Sequence, residues 1–111
     1  MTRELLRHPN ITPIVIESQT AIAGTWNEKS TRTSTFKELR VNIPREIMGY
    51  QSYSFGDHTY GDERQFPGRS EVEAYIKDYA KVNDLEKHVS FNEEVTNVER
   101  IAPAKWKVET N

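Results

Sequence analysis

A chain of 111 residues with 35% apolar content can form one small domain with a modest core, and is too short for a complete enzyme built around two nucleotides. Its 15 lysines and arginines against 17 aspartates and glutamates, interspersed without long runs of one sign, argue against nucleic acid or an anionic membrane as partner. The absence of cysteine removes disulfides and thiolate metal sites, and no run approaches the roughly 20 apolar residues of a spanning helix, so a soluble, cytoplasmic chain is expected.

In chain order, Thr2 to Arg7 read as the tail of a helix that Pro9 ends, because proline removes a backbone donor and disfavours helix in the residue before it. Ile14-Val15-Ile16 then predicts a buried strand closing on Glu17. A short apolar run finishing in an acid is how the second strand of a βαβ nucleotide-binding unit ends, its carboxylate accepting hydrogen bonds from the ribose hydroxyls. The Gly-x-Gly-x-x-Gly of such a unit belongs roughly 20 residues upstream of the acid, yet no glycine precedes Gly24. The expectation is a piece of a larger dinucleotide-binding protein. The plainer reading of Glu17 is a solvated strand end.

Residues 18–35 read as a loop pinned by Trp26, and Phe36 to Phe66 as loops and short helices without a long element. Ser70-x-x-Glu73 is a capping box that predicts a helix from Ser70 to about Val82. Val72, Tyr75, Ile76, Tyr79 and Val82 would form its buried stripe, Glu73 and Lys77 would lie one turn apart outside, and Asn83-Asp84 would stop it. His88 to Phe91, Val95 to Ile101 and Trp106 to Val108 read as three strands of a small antiparallel β-meander, with a turn at Ala102-Pro103-Ala104. His8, His58 and His88 have no close second ligand, so no metal site is expected, and no Gly-x-Ser-x-Gly elbow supports hydrolase chemistry.

Taken in order, Val15-Ile16-Glu17, Ala23-Gly24-Thr25-Trp26, Leu39-Arg40-Val41-Asn42-Ile43-Pro44-Arg45-Glu46-Ile47-Met48, and Tyr75-Ile76 through Phe91-Asn92-x-Glu94-Val95 to Trp106-Lys107-Val108 resemble the N-terminal FAD-binding portion of the flavin-containing monooxygenases. The resemblance implies an oxidoreductase flavoprotein whose parent enzyme, of the N,N-dimethylaniline monooxygenase type, uses FAD, NADPH and O2 to oxygenate small soft nucleophiles at nitrogen or sulfur through a C4a-hydroperoxyflavin. It implies that Glu17 binds the ribose, that Gly24, Thr25 and Trp26 form the loop along the flavin, that a Val95 backbone group meets adenine, and that Asn42 stands beside the isoalloxazine as the catalytic amide. An amide suits that place because it donates and accepts hydrogen bonds without adding charge; on the residues alone, Asn42 before Ile43-Pro44 reads as a turn residue bonding its own local backbone. The family usually carries Gly-Gly where this chain has Ala23-Gly24, an exchange tolerated only if the backbone at Ala23 is not left-handed.

The fold expectation is α/β: residues 1–111 as a partial, Rossmann-like FAD-binding domain carrying the meander, without the first glycine motif or the NADPH domain. The chain alone is then expected to be inactive and to self-associate through an exposed sheet edge. The alternative is a non-catalytic remnant or interaction module that binds no flavin. A disulfide-type reductase is weaker, for want of a cysteine pair.

Overall fold

A computed structural model describes residues 1–61 and 63–111. In chain order the elements are α1 (Thr2–Leu5), β1 (Val15–Glu17), a 3-10 turn (Gly24–Trp26), β2 (Gly49–Tyr50), β3 (Tyr53–Ser54), α2 (Arg69–Val82), a second 3-10 turn (Glu86–His88), β4 (Val89–Phe91), β5 (Val95–Ala102) and β6 (Lys105–Thr110). They group into two compact units, one of Met1–Ala21 with Leu85–Asn111 and the other of Ile22–Asp84.

In the first unit β1 and β4 pair in parallel, Val15 opposite Val89, Ile16 opposite Ser90 and Glu17 opposite Phe91. The three-stranded antiparallel meander is therefore corrected: its first strand pairs with β1, and only β5 and β6 form an antiparallel hairpin. Local backbone bonds show why. After β4, Asn92 takes φ +58°, its N–H donates to the Gln19 carbonyl, and the Glu93 N–H donates to the Glu17 carbonyl, so the chain continues along β1 instead of reversing. A parallel pair needs a long crossover, and residues 18–88 supply it. Ile14 lies one residue before β1 and is 74% exposed, so the strand is shifted by one from the expected Ile14-Val15-Ile16. The hairpin turns at Pro103-Ala104 as expected, with Val98 opposite Val108 and Arg100 opposite Trp106.

The second unit is built on α2. The helix begins at Arg69 with Gly68 as its cap, and this corrects the capping box expected at Ser70 and Glu73. With the start one residue earlier, Glu71 becomes the third helical residue, and its Oε2 accepts the Gly68 N–H at 2.7 Å, the half of a capping box that needs no cap side chain. Glu73 instead accepts the Glu28 N–H at 3.0 Å and the Lys77 ammonium at 2.5 Å. Val72 and Tyr75 are buried, and Ile76 packs against them, whereas Val82 is 63% exposed and lies outside the stripe. The helix stops as expected: the Asn83 amide donates to the Tyr79 carbonyl at 2.8 Å, and Asp84 turns left-handed at φ +52°.

The core of this unit is Phe55, Val72 and Tyr75, with Trp26, Val41, Met48, Tyr53, Tyr60 and Ile76 packed around it. Phe36 to Phe66 supplies part of it through turns and the β2–β3 hairpin, with no helix among the described residues where short helices were expected. Gly49 permits the close approach: it has φ +125°, and a Cβ there would sit 2.8 Å from the Phe55 backbone nitrogen. The Tyr75 hydroxyl accepts the Tyr50 N–H at 2.7 Å and donates to the Tyr53 carbonyl at 2.6 Å, which fixes both strands of the hairpin to α2.

Arg45 and Glu71 are both buried and pair at 2.9 Å, while Arg45 Nε donates to the Arg64 carbonyl at 2.8 Å. Truncating one partner of a buried pair leaves an uncompensated charge, a loss of about 3–5 kcal/mol. Glu71→Ala is expected to lower unfolding free energy by about that amount in urea denaturation; a change below about 1 kcal/mol would place the pair among weak surface contacts.

The Tyr53 and Tyr60 hydroxyls both donate to Asp78 Oδ2, Tyr60 at 2.8 Å. These bonds hold the Asp78 carboxyl below its usual range. Burial, then the bonds with Tyr53 and Asp78, push the Tyr60 phenol up, and the bond to Asp78 leads the rise at Tyr53. A depressed carboxyl contributes stability above its unfolded pKa and loses it as pH falls through the folded value; a raised phenol contributes below its unfolded pKa and loses it as pH rises. Stability should therefore be full between about pH 4 and about pH 10 and fall on both sides. Asp78→Asn should lower the plateau and flatten the acid limb in urea midpoints measured against pH; an acid limb identical to the parent's would refute the assignment.

Candidate functional site

Glu17 ends β1 with its side chain half-buried. Its Oε1 accepts the Gln19 N–H at 2.8 Å and meets Ser18 Oγ at a long 3.5 Å, which is the ordinary work of an acid at a strand end. Among the described residues Oε2 has no hydrogen-bond partner, so one carboxylate oxygen remains available as an acceptor. In the same unit Val95 opens β5 opposite Thr110, next to a register shift, and Asn111 closes the hairpin on Glu94 with two bonds of 3.1 Å.

In the other unit Gly24-Thr25-Trp26 forms a 3-10 turn, with Trp26 N–H donating to the Ala23 carbonyl at 2.9 Å and Asn27 N–H to the Gly24 carbonyl at 3.1 Å. Gly24 has φ +50°, and a Cβ added there would meet nothing within 4 Å. Backbone conformation rather than crowding accounts for the glycine, and the space over it is open. Ala23 has φ +89° and ψ −2°, so the left-handed backbone that the sequence makes unfavourable for alanine is the one adopted. That conformation costs an alanine about 1–2 kcal/mol.

Trp26 is half-buried against the Phe55, Val72 and Tyr75 core, as the loop-pinning expectation required. Its carbonyl accepts a hydrogen bond from Arg69 Nη1 at 3.4 Å; Arg69 is 4% exposed, pairs with Glu28 at 3.3 Å, and has its Nε buried without a hydrogen-bond partner among the described residues. Asn42 is exposed and makes no side-chain hydrogen bond among the described residues, so its amide does not act as a local turn cap. Sequence reasoning missed Thr33 and Thr35, whose hydroxyls reach the Thr25 carbonyl, and Arg69. No periodicity or motif marks such contacts between distant residues.

A cleft beside the start of α2, lined by Lys37, Leu39, Arg40, Ser70 and Glu71 among others, contains none of Glu17, Gly24, Thr25, Trp26, Asn42 and Val95, the site residues expected from the sequence. Among the described residues no cluster of three or more histidine, aspartate or glutamate side chains could hold a metal ion, and no helix is long and apolar enough to cross a membrane.

The family model described as flavin-binding monooxygenase-like matches residues 7–111, and the chain belongs to that family, whose cofactor is a flavin. Among curated relatives in Arabidopsis thaliana, flavin-containing monooxygenase FMO GS-OX4 is 31% identical over 123 residues, covering 95% of this chain and 26% of that protein. FMO GS-OX-like 11 is 32% identical over 130 residues, covering 95% of this chain and 76% of that shorter protein. The structure of S-allyl-L-cysteine S-oxygenase from Allium sativum superposes with a TM-score of 0.85 at 30% identity, over 98% of this chain and 28% of that one. A bacillithiol disulfide reductase from Bacillus cereus, with a TM-score of 0.56 at 20% identity over 98% of this chain and 29% of that one, shares the fold alone. The chain thus spans about a quarter of the length of FMO GS-OX4.

Replacing Ala23 by glycine removes the left-handed penalty of about 1–2 kcal/mol and gives back about 0.5–1 kcal/mol in unfolded-chain entropy. Ala23→Gly should therefore stabilise the chain by up to about 1 kcal/mol, read as a higher urea midpoint. A lower midpoint would mean that the Ala23 methyl makes a packing contribution larger than the strain.

Proposed function

We propose that this chain is the part of a flavin-dependent monooxygenase that holds FAD, with residues 1–111 forming part of a Rossmann-like FAD-binding domain. The single observation that carries the reading is the match of the family over residues 7–111. The parallel β1–β4 pair with its long crossover supports the Rossmann-like part, because parallel neighbours joined by a crossover are the unit of such sheets.

The residues present fit the cofactor. The Glu17 oxygen without a partner among the described residues can accept from the ribose hydroxyls, and the resemblance gives the adenine to a backbone group of Val95 at the start of β5. Gly24 leaves open space over the turn where a planar ring could approach, with Thr25 and Trp26 continuing the same surface. The Asn42 amide, without a partner among the described residues, can both donate and accept beside such a ring without adding charge. FAD, when bound, supplies the two-electron chemistry that activates O2 and delivers one oxygen atom to a nucleophilic nitrogen or sulfur, with NADPH as the reductant held by other residues of the parent enzyme. The chain's own part is to bind the nucleotide through Glu17 and Val95 and to orient the ring through the turn and Asn42.

A second reading, a non-catalytic chain that binds no flavin, draws on Ala23 standing left-handed where the family carries glycine. One titration separates the two. Flavin fluorescence of the purified chain, followed from micromolar to millimolar FAD, should show saturable quenching. Glu17→Ala should raise the dissociation constant for FAD about tenfold, the value of a charged hydrogen bond, and leave that for FMN, which lacks adenosine, unchanged. Absence of saturable quenching supports the flavin-free reading, and equal losses for FAD and FMN would remove Glu17 from the ribose.

A further inference from the structure

We propose that Thr33 and Thr35 are positioning residues that set the Gly24–Trp26 turn through the carbonyl of Thr25; the proposal rests on the reading of that turn as the flavin-facing loop. Two hydroxyls from residues eight and ten positions further along the chain converge on this one oxygen: Thr33 Oγ1 donates to it, and Thr35 Oγ1 donates to it at 2.8 Å. The segment that carries them belongs to no helix or strand, so these contacts serve no regular element.

Proton accounting allows both hydroxyls to donate to the one carbonyl. Each threonine hydroxyl has one proton and two acceptor sites, and a carbonyl has two acceptor sites. The Thr33 and Thr35 protons both go to the Thr25 carbonyl and fill it. Thr33 Oγ1 then accepts the Thr35 N–H at 3.1 Å and the Thr25 hydroxyl at 3.3 Å, which fills its own sites. Thr35 Oγ1 also lies 2.7 Å from Thr33 Oγ1, a contact in which either oxygen could donate.

The turn needs such support from outside. Ala23 and Gly24 both have positive φ, the 3-10 turn has two bonds of its own, and the hold on the next carbonyl is the longer 3.4 Å contact from Arg69. A bond from Thr35 to Thr33 two residues back is a local motif that any such sequence forms. The bonds to Thr25 are not local, and they tie residues 33–35 to the middle of the turn, one residue after the open face of Gly24.

The test uses the whole 111-residue chain, with amide hydrogen exchange at Trp26 and Asn27 as a direct readout of the turn and FAD titration as a readout of its role. The double variant Thr33→Val and Thr35→Val should exchange on the order of tenfold faster at both amides, leave the α2 amides unchanged, and raise the FAD dissociation constant about tenfold. The double variant Thr33→Ser and Thr35→Ser, which keeps both hydroxyls, should restore both values. If the valine pair also loosens α2, the single variant Thr35→Val is read by the same criteria. Unchanged exchange at Trp26 and Asn27 overturns the proposal. So does faster exchange with an unchanged FAD dissociation constant, because the hydroxyls would then only stabilise the loop. Failure of the parent chain to bind FAD, seen before any variant is made, overturns the flavin reading and the positioning role together, and so is told apart from failure of the clamp.

Discussion

The buried ion pair between Arg45 and Glu71 is the constraint on which the second unit depends. Glu71 uses both oxygens: one neutralises Arg45 and the other accepts the Gly68 N–H that starts α2. Arg45 in turn takes the Arg64 carbonyl through Nε and the Gln65 carbonyl through its own N–H. A charge this far from water is tolerated only when fully paired and hydrogen-bonded. The helix start, the loop from Pro44 and the segment before Gly68 are therefore fixed by one network, and Phe55, Val72 and Tyr75 pack within that frame.

The Gly24–Trp26 turn is held by the same helix. Arg69 and Glu73, on the first turns of α2, reach the Trp26 carbonyl and the Glu28 N–H, so the residues after the turn are held by side chains whose place the helix start decides. The turn itself is a strained piece, left-handed at Ala23 and Gly24, and strain of this kind persists only where neighbours over-determine it. The convergence of two threonine hydroxyls on Thr25 is such over-determination.

Glu17 has a structural role through one carboxylate oxygen, and the proposed ribose contact would use the other. Its Oε1 closes the turn after β1, and its Oε2 is left without a protein partner among the described residues. A strand-end acid is otherwise commonplace, and the proposed role rests on the membership in the flavin-binding monooxygenase-like family. The likeness to an S-oxygenase over nearly the whole chain concerns about a quarter of that enzyme.

Local chemistry was legible in the residues themselves. The three- and four-residue spacing of Val72, Tyr75 and Ile76 marks α2, Asn83-Asp84 its end, and Pro103 the hairpin turn, because helix periodicity and turn preferences act over a few neighbouring residues. The ordered anchors around Glu17, Gly24-Thr25-Trp26 and Asn42 were enough to point to the family. Tertiary structure alone decided that β4 lies parallel to β1 and not against β5, that Gly68 and Glu71 displace Ser70 and Glu73 at the cap, that Val82 is exposed, and that Ala23 is left-handed. The strand pairing and the cap are chosen by partners distant in sequence, Glu17 for Glu93 and Arg45 for Glu71, and a competition between distant partners leaves no periodic signal along the chain.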